Sequence, residues 1–364
     1  MPKIIFTGGG SAGHVTLNLA LIPYFIKAGW QIDYIGSIGG MEQELVKKFP
    51  EVKYHAILTG KLRRYLSFKN VVDMVKIPLG CMEATWLVHK LNPDIIFSKG
   101  GFVSFPVVVG GWLNRKKIFM HESDLTSGLA NKLSLPFVGT FFTTFPETIN
   151  TLKQKQKVKC VGPVLSDRLF NGSREEGAKF AGLDAQKPTI MFIGGSLGAQ
   201  SLNNAVKANF NALLDAYQVI HISGKNGYNK DLKAEGYAQY EYVDSELKDL
   251  MALADVVISR AGSNSIFELA SLNKPMILVP LPNTSSRGEQ SLNAKNFQNK
   301  GYAEIIKDED VANQDILLPM LKKVYDNREK YRQAMLENPV KITTAEALSQ
   351  EIAGSIPAKP VSLP

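Results

Sequence analysis

Lys3-Ile4-Ile5-Phe6-Thr7 runs into Gly8-Gly9-Gly10-Ser11-Ala12-Gly13-His14, and about half a chain later Thr189-Ile190-Met191-Phe192-Ile193 runs into Gly194-Gly195-Ser196-Leu197-Gly198. Each is a short apolar run of β type, then a glycine-rich turn, then a helical pattern. Glycine lets the backbone approach an anion closely, and the N–H groups of the helix start point at it. Two such units predict two Rossmann-like halves facing each other across a cleft. They favour an enzyme that handles a nucleotide-linked substrate.

Length and composition agree. At 364 residues the chain can build two domains, each with its own core. A hydrophobic content of 45% against 21% charged residues is that of an ordinary globular protein. Cys81 and Cys160 are the only cysteines, without metal spacing, which suits a reducing compartment and excludes a disulfide scaffold. No signal peptide is expected ahead of the first strand. The longest apolar stretch, Phe102–Leu113, is interrupted by Ser104, Pro106 and Gly110-Gly111 and is too short to cross a bilayer.

The net charge of +8 is unevenly spread. Residues 1–162 carry 20 Lys and Arg against 10 Asp and Glu, a balance of +10; the remainder carries 22 against 24, or −2. Nucleic acid, an anionic substrate or an anionic membrane would each suit a basic first half. No aromatic RNA-binding strand, zinc finger or recognition helix accompanies it, so nucleic acid is not expected.

Strands and helices alternate through both halves, the pattern of parallel α/β sheets. Strands are predicted at Gln31–Ile35, Ile95–Ser98, Lys117–Met120, Val219–Ile222, Val256–Ser259 and Met276–Pro280. Helices are predicted at Glu42–Phe49, Val71–Leu91, from Ser265 to Leu272, and Ile316–Met335. The polar, lysine-rich Asn150–Lys159 followed by Val161-Gly162-Pro163 marks the domain boundary, giving domains 1–162 and 163–340. The Pro-containing end, 355–364, is expected to be a flexible tail.

Gly8-x-Gly10-x-x-Gly13 meets the dinucleotide fingerprint, yet the second strand ends Ile35-Gly36-Ser37 without the acid that would hold a ribose. A nicotinamide cofactor is therefore not expected. His14 suits proton transfer or a cap on the first helical turn. The stretch Ser259-Arg260-Ala261-Gly262-Ser263-Asn264-Ser265-Ile266-Phe267-Glu268 follows a β-branched strand, so Gly262–Ser265 is read as a polar helix start fit for a pyrophosphate. Glu268 is open to two readings: the acid of a capping box with Ser265, or a carboxylate for both ribose hydroxyls. Arg287-Gly288-Glu289-Gln290-Ser291-Leu292-Asn293 is a further polar loop entering a helix. Asp308-Glu309-Asp310 has metal-type Asp-x-Asp spacing but lies in a polar connection, and no metal is expected there.

Taken in order, Gly9-Gly10-Ser11-Ala12-Gly13-His14, Gly100-Gly101-Phe102-Val103-Ser104, His121-Glu122, Gly194–Ala199, Arg260-x-Gly262, Glu268 and Gln290…Asn293 resemble the MurG family in its Gram-positive form. These are the bacterial transferases that move N-acetylglucosamine (GlcNAc) from UDP to an undecaprenyl-pyrophosphoryl-N-acetylmuramyl-pentapeptide, lipid I. The similarity runs through nearly the whole chain. It departs at Ser11 and Ala12, at Asp124 where Asn is common, and at Ser166 where Arg is frequent, with Arg168 a neighbouring substitute. The resemblance implies a GT-B fold with an acceptor site and membrane association in the first domain and a UDP-GlcNAc site in the second. The C-terminal helix, 341–354, would return to the first domain.

The same resemblance implies inverting transfer to the C4 hydroxyl of the muramyl sugar, without cofactor or metal, at the cytoplasmic side of the cell membrane. His14 is the candidate base and Glu122 its reserve. Ser11, Ala12, Gly13, Asp124, Ser196, Val243, Arg260, Gly262, Ser263, Asn264, Ser265, Glu268, Glu289, Gln290 and Asn293 are the expected substrate contacts, with backbone near Val243 reading the uracil. Cell-wall synthesis proteins are expected partners. The segment Lys61–Lys69, with Arg63, Arg64, Tyr65, Leu66, Phe68 and Lys69, mixes cations with apolar residues as an interfacial patch would; Trp112–Lys117 is a second such cluster. Competing functions are a diacylglycerol sugar transferase, a UDP-GlcNAc 2-epimerase and a non-catalytic nucleotide-sugar sensor.

Overall fold

The computed structural model describes residues 1–60, 68–195, 198–282 and 288–355, without the side chains of residue 12 and residues 68–75. It divides into two units: Met1–Val164 together with the stretch from Thr343, and Leu165–Ile342.

The first unit is one parallel sheet of seven strands: β1 (Lys3–Thr7), β2 (Gln31–Ser37), β3 (Val52–Ile57), β4 (Ile95–Ser98), β5 (Lys117–Glu122), β6 (Thr140–Thr143) and β7 (Val158–Cys160). Their order is β3-β2-β1-β4-β5-β6-β7. Helices cover both faces, so the central strands are apolar without alternation: Ile4, Ile5 and Phe6 are all fully buried. Ile4 and Phe6 pack with Leu21, Phe25, Tyr34 and Phe97 on one face. Ile5 packs with Ile35, Val107, Val108, Ile118 and Met120 on the other. The interrupted apolar stretch becomes the helix Ser104–Leu113. It lies so close to the helix Phe68–Leu91 that a Cβ on Gly110 would sit 2.8 Å from the Thr85 nitrogen.

The last helix, Ala345–Ala353, packs against the helix Thr16–Lys27, with Leu348 and Ile352 fully buried in the first core. Thr344 starts it by accepting from the Ala347 N–H at 3.0 Å, an N-cap contact. Thr343 pairs with Val164 as an isolated parallel bridge.

The second unit repeats the scheme with β8 (Thr189–Ile193), β9 (Gln218–Ile222), β10 (Tyr237–Tyr240), β11 (Val256–Ser259), β12 (Met276–Leu278) and β13 (Ala303–Ile305), in the order β10-β9-β8-β11-β12-β13. Each sheet thus winds outward in both directions from one pair, β1 and β4 or β8 and β11. In such sheets ligands bind beyond the carboxyl ends of the strands at that reversal.

Several predicted elements shift. The β5 strand continues to Glu122, so His121 and Glu122 are in the sheet. The lysine-rich stretch before residue 160 ends in an edge strand. The single helix expected over Ile316–Met335 is two, Gln314–Asp326 and Arg328–Glu337, parted at Asn327. The helix after β11 begins at Ser263 with Gly262 as its N-cap, so Ser265 and Glu268 form no capping box. Beyond Ser355 the expected tail lies outside the described residues.

Candidate functional site

In the first unit, β1 and β4 release two loops side by side. Gly10 has φ +84°, Gly100 +94° and Gly101 +85°, a left-handed region that favours glycine. A Cβ on Gly101 would lie 2.9 Å from His14 Nδ1, so the second loop passes directly against the first. His14 ends the short 3₁₀ turn Ala12–His14, and its Nδ1 lies 3.0 Å from Ser11 Oγ. The tautomer decides its chemistry. With Nδ1–H donating to Ser11, Nε2 keeps its lone pair and can act as a base.

A buried network holds the first loop. Tyr34 Oη donates to the Gly8 carbonyl at 2.7 Å, and Asn18 Nδ2 donates to Thr7 O at 3.0 Å. Glu42, fully buried, accepts from Ser37 N at 2.8 Å and from Ser37 Oγ at 2.5 Å, and reaches the Gly10 N–H at 3.4 Å. Sequence reasoning passed over Glu42. Its signal was a carboxylate two residues after Gly39-Gly40, which only the fold brings to the first loop.

Glu122 is buried with both oxygens engaged. Oε1 accepts from Asp124 N at 3.1 Å; Oε2 accepts from Gly128 N at 3.1 Å and Asn131 Nδ2 at 2.9 Å. It therefore shapes the loop carrying Asp124. Beside it Lys99, which follows β4, is 3% exposed. Its Nζ donates to His121 Nδ1 at 3.1 Å and to Ser123 Oγ at 2.9 Å. Burial pulls the Lys99 ammonium below its ordinary pKa, opposed by Glu122 and Asp124. Burial, with Lys99 adding to it, also pushes His121 well below the usual imidazole range.

In the second unit the β11 loop and helix form the corresponding arrangement at β8 and β11. Gly262 supplies no side-chain cap, and the helix Ser263–Ser271 begins with the polar Ser263, Asn264 and Ser265. Its first-turn N–H groups are the kind that take an anion. Glu268 keeps some exposure, yet burial pushes its carboxyl up to about 7. Across the next connection Gln290 Oε1 accepts from Leu281 N at 3.1 Å, and buried Asn293 donates to Ala261 O at 3.3 Å. Glu289 opens that helix, Glu289–Asn299, behind Gly288 at φ +80°. Val243 is buried just beyond β10.

Arg260 is spent on the protein itself. Its guanidinium donates to Asp308, to Ser201 Oγ at 2.9 Å and to Val279 O at 3.1 Å, while Ser201 also donates to Asp308 at 2.5 Å. This explains the Asp-x-Asp run: Asp308 is the counter-ion that fixes the β11 loop. Ser166 accepts from Arg168 N at 3.4 Å and caps a short turn. The expected contacts at Ser196, and the membrane residues Arg63, Arg64, Tyr65 and Leu66, lie outside the described residues, as do the side chains of Ala12, Phe68 and Lys69.

Two family models match: the glycosyltransferase family 28 N-terminal domain over residues 4–143 and its C-terminal domain over 189–352. A Bacillus cereus protein named UDP-N-acetylglucosamine–N-acetylmuramyl-(pentapeptide) pyrophosphoryl-undecaprenol N-acetylglucosamine transferase 2 is 48% identical over 92% of this chain and 95% of its own. A Geobacillus thermodenitrificans transferase of the same name, without the numeral, is 47% identical over 92% and 93%. Among solved structures, Acinetobacter baumannii MurG has a TM-score of 0.76 at 21% identity, covering 97% of this chain and 100% of that one. The calicheamicin glycosyltransferase CalG4 has 0.66 at 10% identity, covering 97% and 98%. These structural likenesses establish the GT-B fold.

Proposed function

This chain belongs to glycosyltransferase family 28, and we propose that it transfers GlcNAc from UDP-GlcNAc to the C4 hydroxyl of the muramyl sugar of lipid I, making lipid II for peptidoglycan. The observation that supports this most is the near full-length likeness, at 47–48% identity, to transferases named for that reaction. The local geometry is consistent with it. Each unit has an anion-type loop pair at the reversal of its sheet, one for a nucleotide-sugar and one for a pyrophosphate-bearing acceptor.

In this reading the second unit holds the donor. The Glu268 carboxylate takes the ribose hydroxyls, backbone at Val243 reads the uracil, and Gln290 and Glu289 meet the sugar. The Gly262–Ser265 helix start and Ser196 stabilise the charge that develops on the departing pyrophosphate. Arg260 acts at one remove, through Asp308. In the first unit His14 takes the hydroxyl proton at Nε2 while Ser11 holds Nδ1. Attack from the face opposite the leaving group inverts the anomeric centre. Glu122 positions Asp124 and the loop around it.

We place the protein on the cytoplasmic face of the membrane through its first unit. Supporting this, Leu79, Met82 and Trp86 form one exposed apolar stripe along the helix Phe68–Leu91. Asn114 donates to Thr85 O at 3.0 Å, which brings exposed Trp112 and Leu113 to the neighbouring turn beside Arg115, Lys116 and Lys117. No helix among the described residues is long and apolar enough to cross a membrane. Mixing UDP-GlcNAc with a short-chain lipid I analogue, with diacylglycerol, or with neither tests the function. UDP release confined to the first mixture supports it; release with diacylglycerol favours the other lipid transferase.

A further inference from the structure

His221, in β9, is buried with both ring nitrogens engaged. Nδ1 lies 2.8 Å from Tyr237 Oη in β10, and Nε2 lies 2.8 Å from Asn203 Oδ1, early in the helix Gln200–Ala208. Asn203 Nδ2 donates on to the Ser223 carbonyl at 3.1 Å. A backbone carbonyl can only accept, so it fixes the direction of the whole chain. The amide nitrogen of Asn203 faces Ser223, its oxygen takes the Nε2 proton, and Nδ1 accepts from the tyrosine. Burial pulls the imidazole down to about 4, so at neutral pH His221 is uncharged and holds this one tautomer.

The chain ends at fully buried Ser223, where two parts of the second unit meet. Ser223 N and Oγ donate to Tyr240 O at 2.9 and 3.2 Å. Tyr240 ends β10, three residues before Val243, to which the proposed donor site gives the uracil. The Ser223 carbonyl lies against the second glycine loop: a Cβ on Gly198 would collide with it, and one on Gly227 would collide with Asn203 Nδ2. The strand order β10-β9-β8-β11 sets β9 between that base-reading segment and the β8 and β11 loops proposed for the diphosphate. We infer that the Tyr237–His221–Asn203 chain is the spacer of the donor site: by fixing Ser223 it sets the distance between the base-reading and diphosphate-holding segments, and so selects a nucleoside diphosphate over its parts. All three are positioning residues that act through Ser223 without touching the ligand. Apolar side chains could fill the same space, but a fully satisfied polar chain holds one geometry. Two linked ligand parts reinforce each other only when their sites are the right distance apart. The inference rests on the donor binding in the second unit, as proposed above.

The test uses the full chain, His221→Phe, His221→Gln and Asn203→Ala, with UDP titrated by calorimetry and uridine, which lacks the phosphates, by ligand-observed NMR. His221→Phe and Asn203→Ala should bind UDP about tenfold more weakly than the parent or worse, while uridine affinity stays within about twofold. His221→Gln can still donate to Asn203 and should keep UDP affinity within about threefold of the parent. In steady state the donor KM should rise in the first two variants, with the acceptor KM within about twofold. If His221→Phe does not fold, Asn203→Ala carries the comparison, since alanine suits a helix. Unchanged UDP affinity in Asn203→Ala overturns the inference. So does an equal loss for UDP and uridine, the mark of a merely structural network, and so does a parent that binds UDP but no uridine. A parent that binds no UDP overturns it together with the donor site. The expected shifts in a protein that transfers no GlcNAc would keep the spacer and remove the proposed reaction.

Discussion

Glu268→Gln and Glu268→Ala probe the donor site through two independent readouts. The carboxyl lies in the second turn of the helix after β11, with its pKa pushed up to about 7 by burial. If it accepts hydrogen bonds from ribose hydroxyls, the ionised form is the binding form. UDP-GlcNAc, a diphosphate diester, has no group that titrates near neutrality. Its affinity should therefore fall as pH drops below about 7. At pH 6 roughly a tenth of Glu268 is ionised, so binding should be up to about tenfold weaker than at pH 8 and coupled to proton release.

Removing a hydrogen bond to a charged group costs about 1.5–3 kcal/mol, so Glu268→Ala should weaken donor binding by about tenfold to a hundredfold. Stability should move the opposite way. The folded pKa is raised above the ordinary carboxyl value of 4.5, so this group favours folding at low pH and loses that contribution as pH rises through about 7. Glu268→Gln should then melt higher than the parent at pH 8 and bind donor without pH dependence. Lys274, pushed down to about 8, is at the other end of the sheet, donating to Ala252 O and Ala254 O, and His221 at about 4 titrates below this window. Calorimetry from pH 6 to 8 in buffers of different ionisation enthalpy reads all of this. A pH-independent affinity, or an unchanged one in Glu268→Ala, would refute the assignment.

His14→Ala should lower kcat by about 10²–10⁴ with donor binding intact, read by turnover and calorimetry; near-normal turnover would leave His14 a structural cap. Glu42→Ala strands the buried Ser37 N–H and hydroxyl, so it should cost about 2–5 kcal/mol of stability in a denaturant titration, and a cost within experimental error would remove Glu42 as the loop's anchor. Trp86→Ser with Trp112→Ser should reduce sedimentation with anionic vesicles at least tenfold, since each buried aromatic contributes about 1.5–3 kcal/mol. Arg63, Arg64 and Lys69 changed to Gln should weaken the same binding by on the order of a hundredfold at low salt, each cation contributing about 1 kcal/mol; unchanged pelleting in either set returns that surface to ordinary solvent.

Both sheets could be read in the sequence because their central strands are continuous apolar runs that end in glycine. The lysine-rich edge strand β7 could not, since one side of an edge strand faces solvent and its residues read as a linker. The capping box failed for a local reason: Gly262 starts the helix three residues earlier than Ser265 would. Candidate site residues such as His14 and Glu268 stand out because His14 directly follows the first glycine loop and Glu268 lies in the second turn of the helix that the β11 loop starts. Residues that act from inside the fold do not stand out. Nothing in the local sequence of Glu42, Lys99 or Asp308 names its partner, and only the crossing of strands brings them to the first loop, to His121 and to Arg260.

Proton NMR of the product formed from UDP-GlcNAc and a short-chain lipid I analogue tests the reaction itself. The account predicts one new β anomeric signal, correlated to C4 of the muramyl sugar, growing in step with UDP. An α linkage, free GlcNAc, an epimerised sugar or UDP release with no new glycosidic bond would contradict it.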